Sequence, residues 1–442
     1  MAGKNNLHPL VELIKRHKRT GVGGIYSACS AHPMVLKAVM GQARADQSLV
    51  CIEATSNQVD QFGGYTGMKP ADFSQFVAHL AKEVKLPLDH IILGGDHLGP
   101  NAWRGESSGS AMAKAQDLVR AYVMAGFTKI HLDASMPCAD DKAGGKEFLP
   151  DEVVAQRAAQ LCAVCEETAR TLKGKRSLPV YVVGTEVPRP GGALDNAEAL
   201  HATSPQDARR TIAITKTSFD KLGLQEAWKR VVALVVQPGV EFSDSTVTNY
   251  ERRKASRLSR LIEKDPQLVY EAHSTDYQTQ QHLTEMVQDH FSILKVGPEL
   301  TFVLREALFA LAEVEEEMLA VAGIAEPSRL REALEMTMCE KPGNWNKHYH
   351  GTPADLAFAR KYSYSDRSRY YWPEPKVAAA AQKLIANLQA HRPPLNLLSQ
   401  YMPEQYRKVR EGHLQNEPAL LIQDRIQDVA RKYAAACSNS RR

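Results

Sequence analysis

Eight short runs rich in apolar and β-branched residues punctuate the first two thirds of the chain. They lie at 24–29, 49–54, 90–95, 129–133, 180–184, 232–236, 268–272 and 292–296. Several are nearly continuous in Val, Ile and Leu, the pattern of a strand covered on both faces. Between them the apolar residues recur at helical spacing. After the last run, Leu300, Val303, Leu304, Ala307, Leu308 and Leu311 fall on one stripe. Parallel strands need crossover connections, so β–α units in series predict a parallel sheet. Eight such units are the number that closes a (β/α)8 TIM barrel, an α/β fold. The rival is an open doubly wound sheet, which favours G-x-G-x-x-G after its first strand. The chain has no such string there.

After about Val321 the strand pattern stops. Helical segments such as 376–388 and 420–436 alternate with proline-rich turns, for example Arg392-Pro393-Pro394. The expected organisation is a (β/α)8 barrel over 1–320 and a C-terminal helical extension over 321–442, packed on the barrel. The extension would cover the barrel mouth or mediate assembly.

Composition narrows the function classes. Of 442 residues 43% are apolar and 24% charged, ordinary for a globular chain. The net charge of +4 is too small and dispersed to imply nucleic acid or a membrane surface. No apolar run is long enough to predict a spanning helix, and residues 1–18 are basic and polar, without the apolar core of a secretory signal. The seven cysteines, an odd number, read as reduced thiols of a cytoplasmic protein. Cys162 and Cys165 form a lone C-x-x-C inside a helical stretch, which favours a structural reading.

In a barrel, side chains at the C-terminal strand ends converge on one mouth. The third run leads into Asp96-His97, the fourth ends on Asp133, and the fifth leads into Glu186. The sixth leads into Gln237, the seventh into His273 and Asp276, and the eighth contains Lys295. A lone strand-end histidine more often makes a hydrogen bond than binds a metal. Two histidines and a glutamate at one mouth make a joint pattern, so His97, Glu186 and His273 are the expected ligands of a divalent metal. Asp96, beside a ligand, suits proton transfer. Gln237, a neutral amide, suits a hydrogen bond to substrate. His8, His17, His79, His201, His282 and His290 lack partners in the pattern, and His348 and His350 are set aside. Residues 362–372 are dense in hydroxyl, guanidinium and aromatic groups, Arg367 among them. They read equally as a sugar or phosphate contact and as a packed loop edge.

Longer strings around these residues carry a resemblance. They are Glu53-Ala54-Thr55-Ser56-Asn57-Gln58, Gly94-Gly95-Asp96-His97-Leu98-Gly99-Pro100-Asn101, Glu271-Ala272-His273-Ser274-Thr275-Asp276, Leu294-Lys295-Val296-Gly297-Pro298 and the segment 362–373. Over nearly the whole chain they are similar to the GatZ/KbaZ family of tagatose-bisphosphate aldolase subunits. The resemblance implies a partner subunit of a class II aldolase acting on D-tagatose 1,6-bisphosphate, in which a sister subunit performs the cleavage. Some members are similar to ketose 4-epimerases.

The catalytic class II aldolases carry an Asp-His pair like Asp96-His97, in which the His binds zinc and the Asp exchanges a proton with the C4 hydroxyl. They use a histidine where this chain has Gln237, so Glu186 is the expected substitute. They cradle phosphate with glycine-rich backbone where this chain has Ser274-Thr275-Asp276. An aspartate there repels phosphate, and Lys295 compensates only in part. The expected catalytic residues are Asp96, Glu186 and Asp133, and the expected substrate contacts are Ser56, Asn57, Gln237, Asp276, Lys295 and Arg367. The metal expected is zinc, with manganese, cobalt or nickel as alternatives. The expected activity is metal-dependent retro-aldol chemistry on ketohexoses or their phosphates, and the alternative is a non-catalytic stabilising subunit. Expected partners are a small sugar or sugar phosphate, an aldolase subunit and further copies of the chain, with no nucleic acid or membrane.

Overall fold

The computed structural model describes residues 7–142, 148–172, 177–184 and 200–438. All eight predicted runs form strands: β1 (Ile25–Cys29), β2 (Val50–Thr55), β3 (Ile91–Leu98), β4 (Lys129–Leu132), β5 (Val180–Gly184), β6 (Val231–Val236), β9 (Val269–Ala272) and β10 (Ile293–Val296). They pair in parallel and close on themselves, β10 lying between β9 and β1. The fold is a (β/α)8 TIM barrel. A small antiparallel hairpin, β7 (Glu241–Phe242) and β8 (Val247–Thr248), stands apart after β6. Among the described residues no helix is long and apolar enough to cross a membrane.

Strand residues alternate between two apolar layers. Outward side chains such as Ile52, Ile130, Leu234 and Tyr270 join the helices in the main core. Inward ones near the strand starts, among them Ile25, Ile92, Val180, Val182 and Val269, form a second cluster that plugs the barrel floor. Leu10, Leu13 and Ile14 of the helix Pro9–Thr20 belong to that cluster. The reading of residues 1–18 as merely basic and polar overlooked this helix. Its signal was the stripe Leu10, Leu13, Ile14 and His17, all buried.

β3 runs three residues further than its apolar run, to Leu98. Its register against β4 shifts between Gly95 and Leu98, and His97 takes a left-handed conformation with φ 48°. The irregularity re-aims two successive side chains, as bulges do. On the neighbouring strand position, Gly94 leaves room for Glu53; a Cβ there would lie 2.6 Å from the Glu53 side chain.

The last helix, Pro418–Ser438, packs against Pro33–Asp46, Gln280–Gln288 and Pro298–Ala322. Leu421, Ile422, Ile426 and Val429 are buried along it. The Tyr433 hydroxyl donates to the Thr275 carbonyl at 2.7 Å, and the Gly24 amide donates to the Cys437 carbonyl at 2.9 Å. A chain ending at Gly323 would strip this face and leave Tyr26 and the Thr275 carbonyl without cover. We expect it to aggregate or to lose cooperative unfolding. A soluble truncated chain melting at the full-length temperature would contradict this.

Candidate metal centre

Alternation along the strands brings the polar residues to one inner layer at the mouth. Ser27 and Cys29 of β1, Cys51 and Glu53 of β2, and Lys129, His131 and Asp133 on and after β4 each share a face by period two. So do Glu271 and His273 on and after β9. Glu53, Lys129, His131 and Glu271 are fully buried, and Asp96, Asp133, His273 and Lys295 nearly so.

Lys129 lies between two carboxylates, 2.5 Å from Glu53 and 2.5 Å from Glu271. Lys295 pairs with Glu53 and lies 2.8 Å from Asp96. Burial lowers a lysine's affinity for its proton, yet Glu271 and its neighbours outweigh that and hold Lys129 above its usual value. Glu271 is likewise held down to about 2, against its burial, by Lys129 and then His273.

Three imidazoles stand on this layer, and each is backed by an oxygen. His97 Nδ1 is 2.8 Å from Asp133 Oδ2, His131 Nε2 is 3.1 Å from the Gly184 carbonyl, and His273 Nε2 is 3.1 Å from Glu271 Oε1. The ring centroids lie 4.9, 5.0 and 5.4 Å apart. One ligand atom from each of Asp96, His97, His131 and His273 falls within 4.8 Å of the others. His131 Nδ1 is also 2.9 Å from Asp96 Oδ1. Burial would raise Asp96, but His97, His131 and His273 hold its carboxyl well below the usual range. Burial would lower His97, and Asp96 and Asp133 override it in the opposite direction.

The donor set fits a zinc-type ion. Imidazoles whose other nitrogen faces a carboxylate or carbonyl are the usual arrangement around such ions. The layer also holds four carboxylates, Glu53, Asp96, Asp133 and Glu271, against two ammonium groups. With the imidazoles neutral, the form that ligates a metal, a dication would balance the remainder. A second group, Cys29, Glu53 and Asp96, also clusters. It fits less well: Glu53 is committed to two lysines, and burial pushes the Cys29 thiol up to about 12.

The expected residues fall into four groups. His97, His273, Asp96 and Asp133 meet in the cluster. Glu186 lies outside the described residues. Asn57, Asp276, Lys295 and Arg367 line a cavity of about 470 Å³ that Asp96, His97, Asp133 and His273 also line. Ser56 and Gln237 do not line it. Ser56 is buried with its amide donating to the Asp96 carbonyl at 3.2 Å. Gln237 turns its Oε1 to the amides of Gly239 and Val240, at 2.7 and 3.0 Å, and lines a neighbouring cavity. The side-chain oxygen thus stabilises a turn.

His131 was missed because it sits inside a strand rather than after one. Its signal was the alternation Lys129, His131, Asp133, three polar residues at period two in an apolar run. His348, set aside earlier, also lines the cavity, as does Arg369. Both come from the region after the barrel.

The family model described as D-tagatose-1,6-bisphosphate aldolase subunit GatZ/KbaZ-like matches residues 10–438. The crystal structure of a probable tagatose 6 phosphate kinase from Sinorhizobium meliloti 1021 is 44% identical, with a TM-score of 0.85. The match covers 94% of this chain and 100% of that one. A fructose-bisphosphate aldolase from Campylobacter jejuni is 12% identical, with a TM-score of 0.43 over 86% of this chain and 91% of that one. At that score the likeness says nothing about function.

Two outcomes test the centre. Lys129→Met leaves Glu53 and Glu271 without their shared cation and should cost about 3–5 kcal/mol of stability in denaturant unfolding, the usual loss for one partner of a buried pair. A cost below about 1 kcal/mol would show that the network is not ionised as described. His131→Ala should lower bound divalent metal as far as His97→Ala and His273→Ala do. Elemental analysis after reconstitution and dialysis reads this, and full occupancy in His131→Ala would remove that residue from the ligand set.

Proposed function

The chain belongs to the GatZ/KbaZ-like family, and from that premise we propose metal-dependent retro-aldol and aldol chemistry on a ketohexose or its phosphate. The outcome would be 4-epimerisation between tagatose and fructose, or the cleavage step of a tagatose-bisphosphate aldolase. The observation that supports this reading best is the cluster of Asp96, His97, His131 and His273, of which Asp96, His97 and His273 line a cavity large enough for a hexose.

A divalent ion held by His97, His131 and His273, zinc before manganese, cobalt or nickel, would act as a Lewis acid on the sugar's carbonyl oxygen. Glu186 remains a proposed further ligand or proton carrier. The chain's own residues do the rest. Asp96, kept ionised by the three imidazoles, accepts the proton of the C4 hydroxyl as the C3–C4 bond breaks. Asp133 holds His97 in one orientation through the 2.8 Å contact and so acts as a positioning residue. Lys295, 2.8 Å from Asp96, fixes that carboxylate. If the aldehyde fragment departs, the reaction is a cleavage. If it turns over and re-adds, C4 is inverted, and tagatose and fructose differ at C4.

Phosphoryl transfer, which the Sinorhizobium protein's name suggests for that protein, relies on Mg²⁺ held by oxygen ligands and on a cradle for a triphosphate. Three imidazoles suit that task poorly. The alternative of a non-catalytic stabilising subunit rests on the family's description as a subunit. Against it stands the energetic cost of this layer. Each buried ion costs several kcal/mol of desolvation, which a purely supportive barrel could avoid with apolar residues.

Asp96→Asn should keep most of the bound metal, since three imidazoles remain, and lower turnover about a hundredfold or more. The assay follows interconversion of fructose and tagatose, and cleavage of tagatose bisphosphate, by the purified chain alone. Wild-type inactivity on all of these with metal bound would favour the supporting-subunit reading. Full activity of Asp96→Asn would refute its role as the base.

A further inference from the structure

Arg367 and Arg369, on the short turn Arg367–Tyr370, line the cavity from the side of the C-terminal extension. Among the described residues neither forms an ion pair with a carboxylate. Arg367 donates one terminal N–H to the Asn344 carbonyl at 3.0 Å, and its Nε is buried without a hydrogen-bond partner. Arg369 donates to the Ser365 and Asp366 carbonyls and to the Tyr370 hydroxyl, and its guanidinium lies 4.6 Å from the Tyr370 ring centroid. The two carboxylates nearby act on the arginines only through space. Asp366 accepts from the Thr301 and Ser368 hydroxyls, and Asp244 accepts from Ser363. Burial, and then the charge of Arg369, push Arg367 below its usual value, while against burial the two arginines draw the Tyr370 phenol down. Two guanidiniums that no described carboxylate contacts directly, both lining one cavity, make a receptor for an anion, and their forked geometry suits phosphate.

The other place where a phosphate could dock is filled. The helix Pro298–Ala322 starts at the mouth directly after β10, and amides at such a start commonly hold phosphate. Asp276 takes them instead: one of its carboxylate oxygens accepts from the Gly297 amide at 2.9 Å and from the Glu299 amide at 2.8 Å. A phosphate arriving there would lose those donors and meet a carboxyl group with Glu299 behind it.

We propose that the cavity takes a ketose carrying a single phosphate, held by Arg367 and Arg369, and that Asp276 excludes a second phosphate from the start of the helix Pro298–Ala322. The sugar part of this inference rests on the proposed function; the anion site does not.

Calorimetry on the full-length chain separates the two. Metal-free protein should bind inorganic phosphate, and Arg367→Gln and Arg369→Gln should each weaken that binding about tenfold or more, with the unfolding temperature and metal uptake unchanged. On metal-loaded wild type, fructose 1-phosphate or fructose 6-phosphate should bind on the order of a hundredfold more tightly than fructose, the worth of one or two charge-assisted contacts. Fructose 1,6-bisphosphate should bind no more tightly than the better monophosphate, and weaker binding supports the exclusion. The wild-type comparisons need no variant, so a misfolded variant leaves the test intact. Equal binding of fructose and both monophosphates, or a bisphosphate more than about tenfold tighter than either, would overturn the proposal. Inorganic phosphate binding that depends on the arginines, in a chain that binds and converts no ketose, would leave the anion site standing and remove the retro-aldol reading.

Discussion

Lys129 sits without solvent contact between Glu53 of β2 and Glu271 of β9, and almost every polar group at the mouth is arranged around that contact. Glu53 reaches on to Lys295, Lys295 to Asp96, and Asp96 to His131; Glu271 faces His273. Removing these charges from water costs far more than any single pair returns, so the layer is tolerable only as a whole. The barrel meets the condition by spacing its contributors on neighbouring strands whose inner faces lie side by side. It also keeps Gly94 next to Glu53, where a side chain would collide.

The same layer divides the barrel interior into two regimes. Below it, aliphatic residues and the helix Pro9–Thr20 make a dry plug that carries stability. Above it, groups from strand ends and from the extension surround the cavity. The irregularity of β3 marks the border. A regular strand would send Asp96 and His97 to opposite faces, whereas the shifted register brings both to the cluster.

The region after the barrel contributes to the site as well as to the core. Tyr433 reaches Thr275 beside Asp276, and Lys432 pairs with Glu299 behind it. Arg367 and Arg369 enter the cavity from a turn held by the Thr301–Asp366 contact and by Tyr277, whose hydroxyl donates to the Tyr364 carbonyl at 2.6 Å. Groups at the mouth are therefore positioned by the region after the barrel as well as by the strands.

The eight strands, their parallel order and the convergence of Asp96, His97, Asp133 and His273 were legible in the sequence. They follow from local patterns: apolar runs of strand length, helical stripes between them, and the rule that barrel strand ends share one mouth. Other features were decided only by the tertiary structure. His131 looks like one more strand residue until its neighbours supply Asp96 and the Gly184 carbonyl. Gln237 looks like a substrate contact until a turn consumes its oxygen. Asp276 looks like a mouth residue, and its partners are amides some twenty positions later. The physical reason is common to all three. Periodicity tells which face a side chain takes, but its hydrogen-bond partner is chosen by residues distant in sequence, and only the closed barrel brings those together.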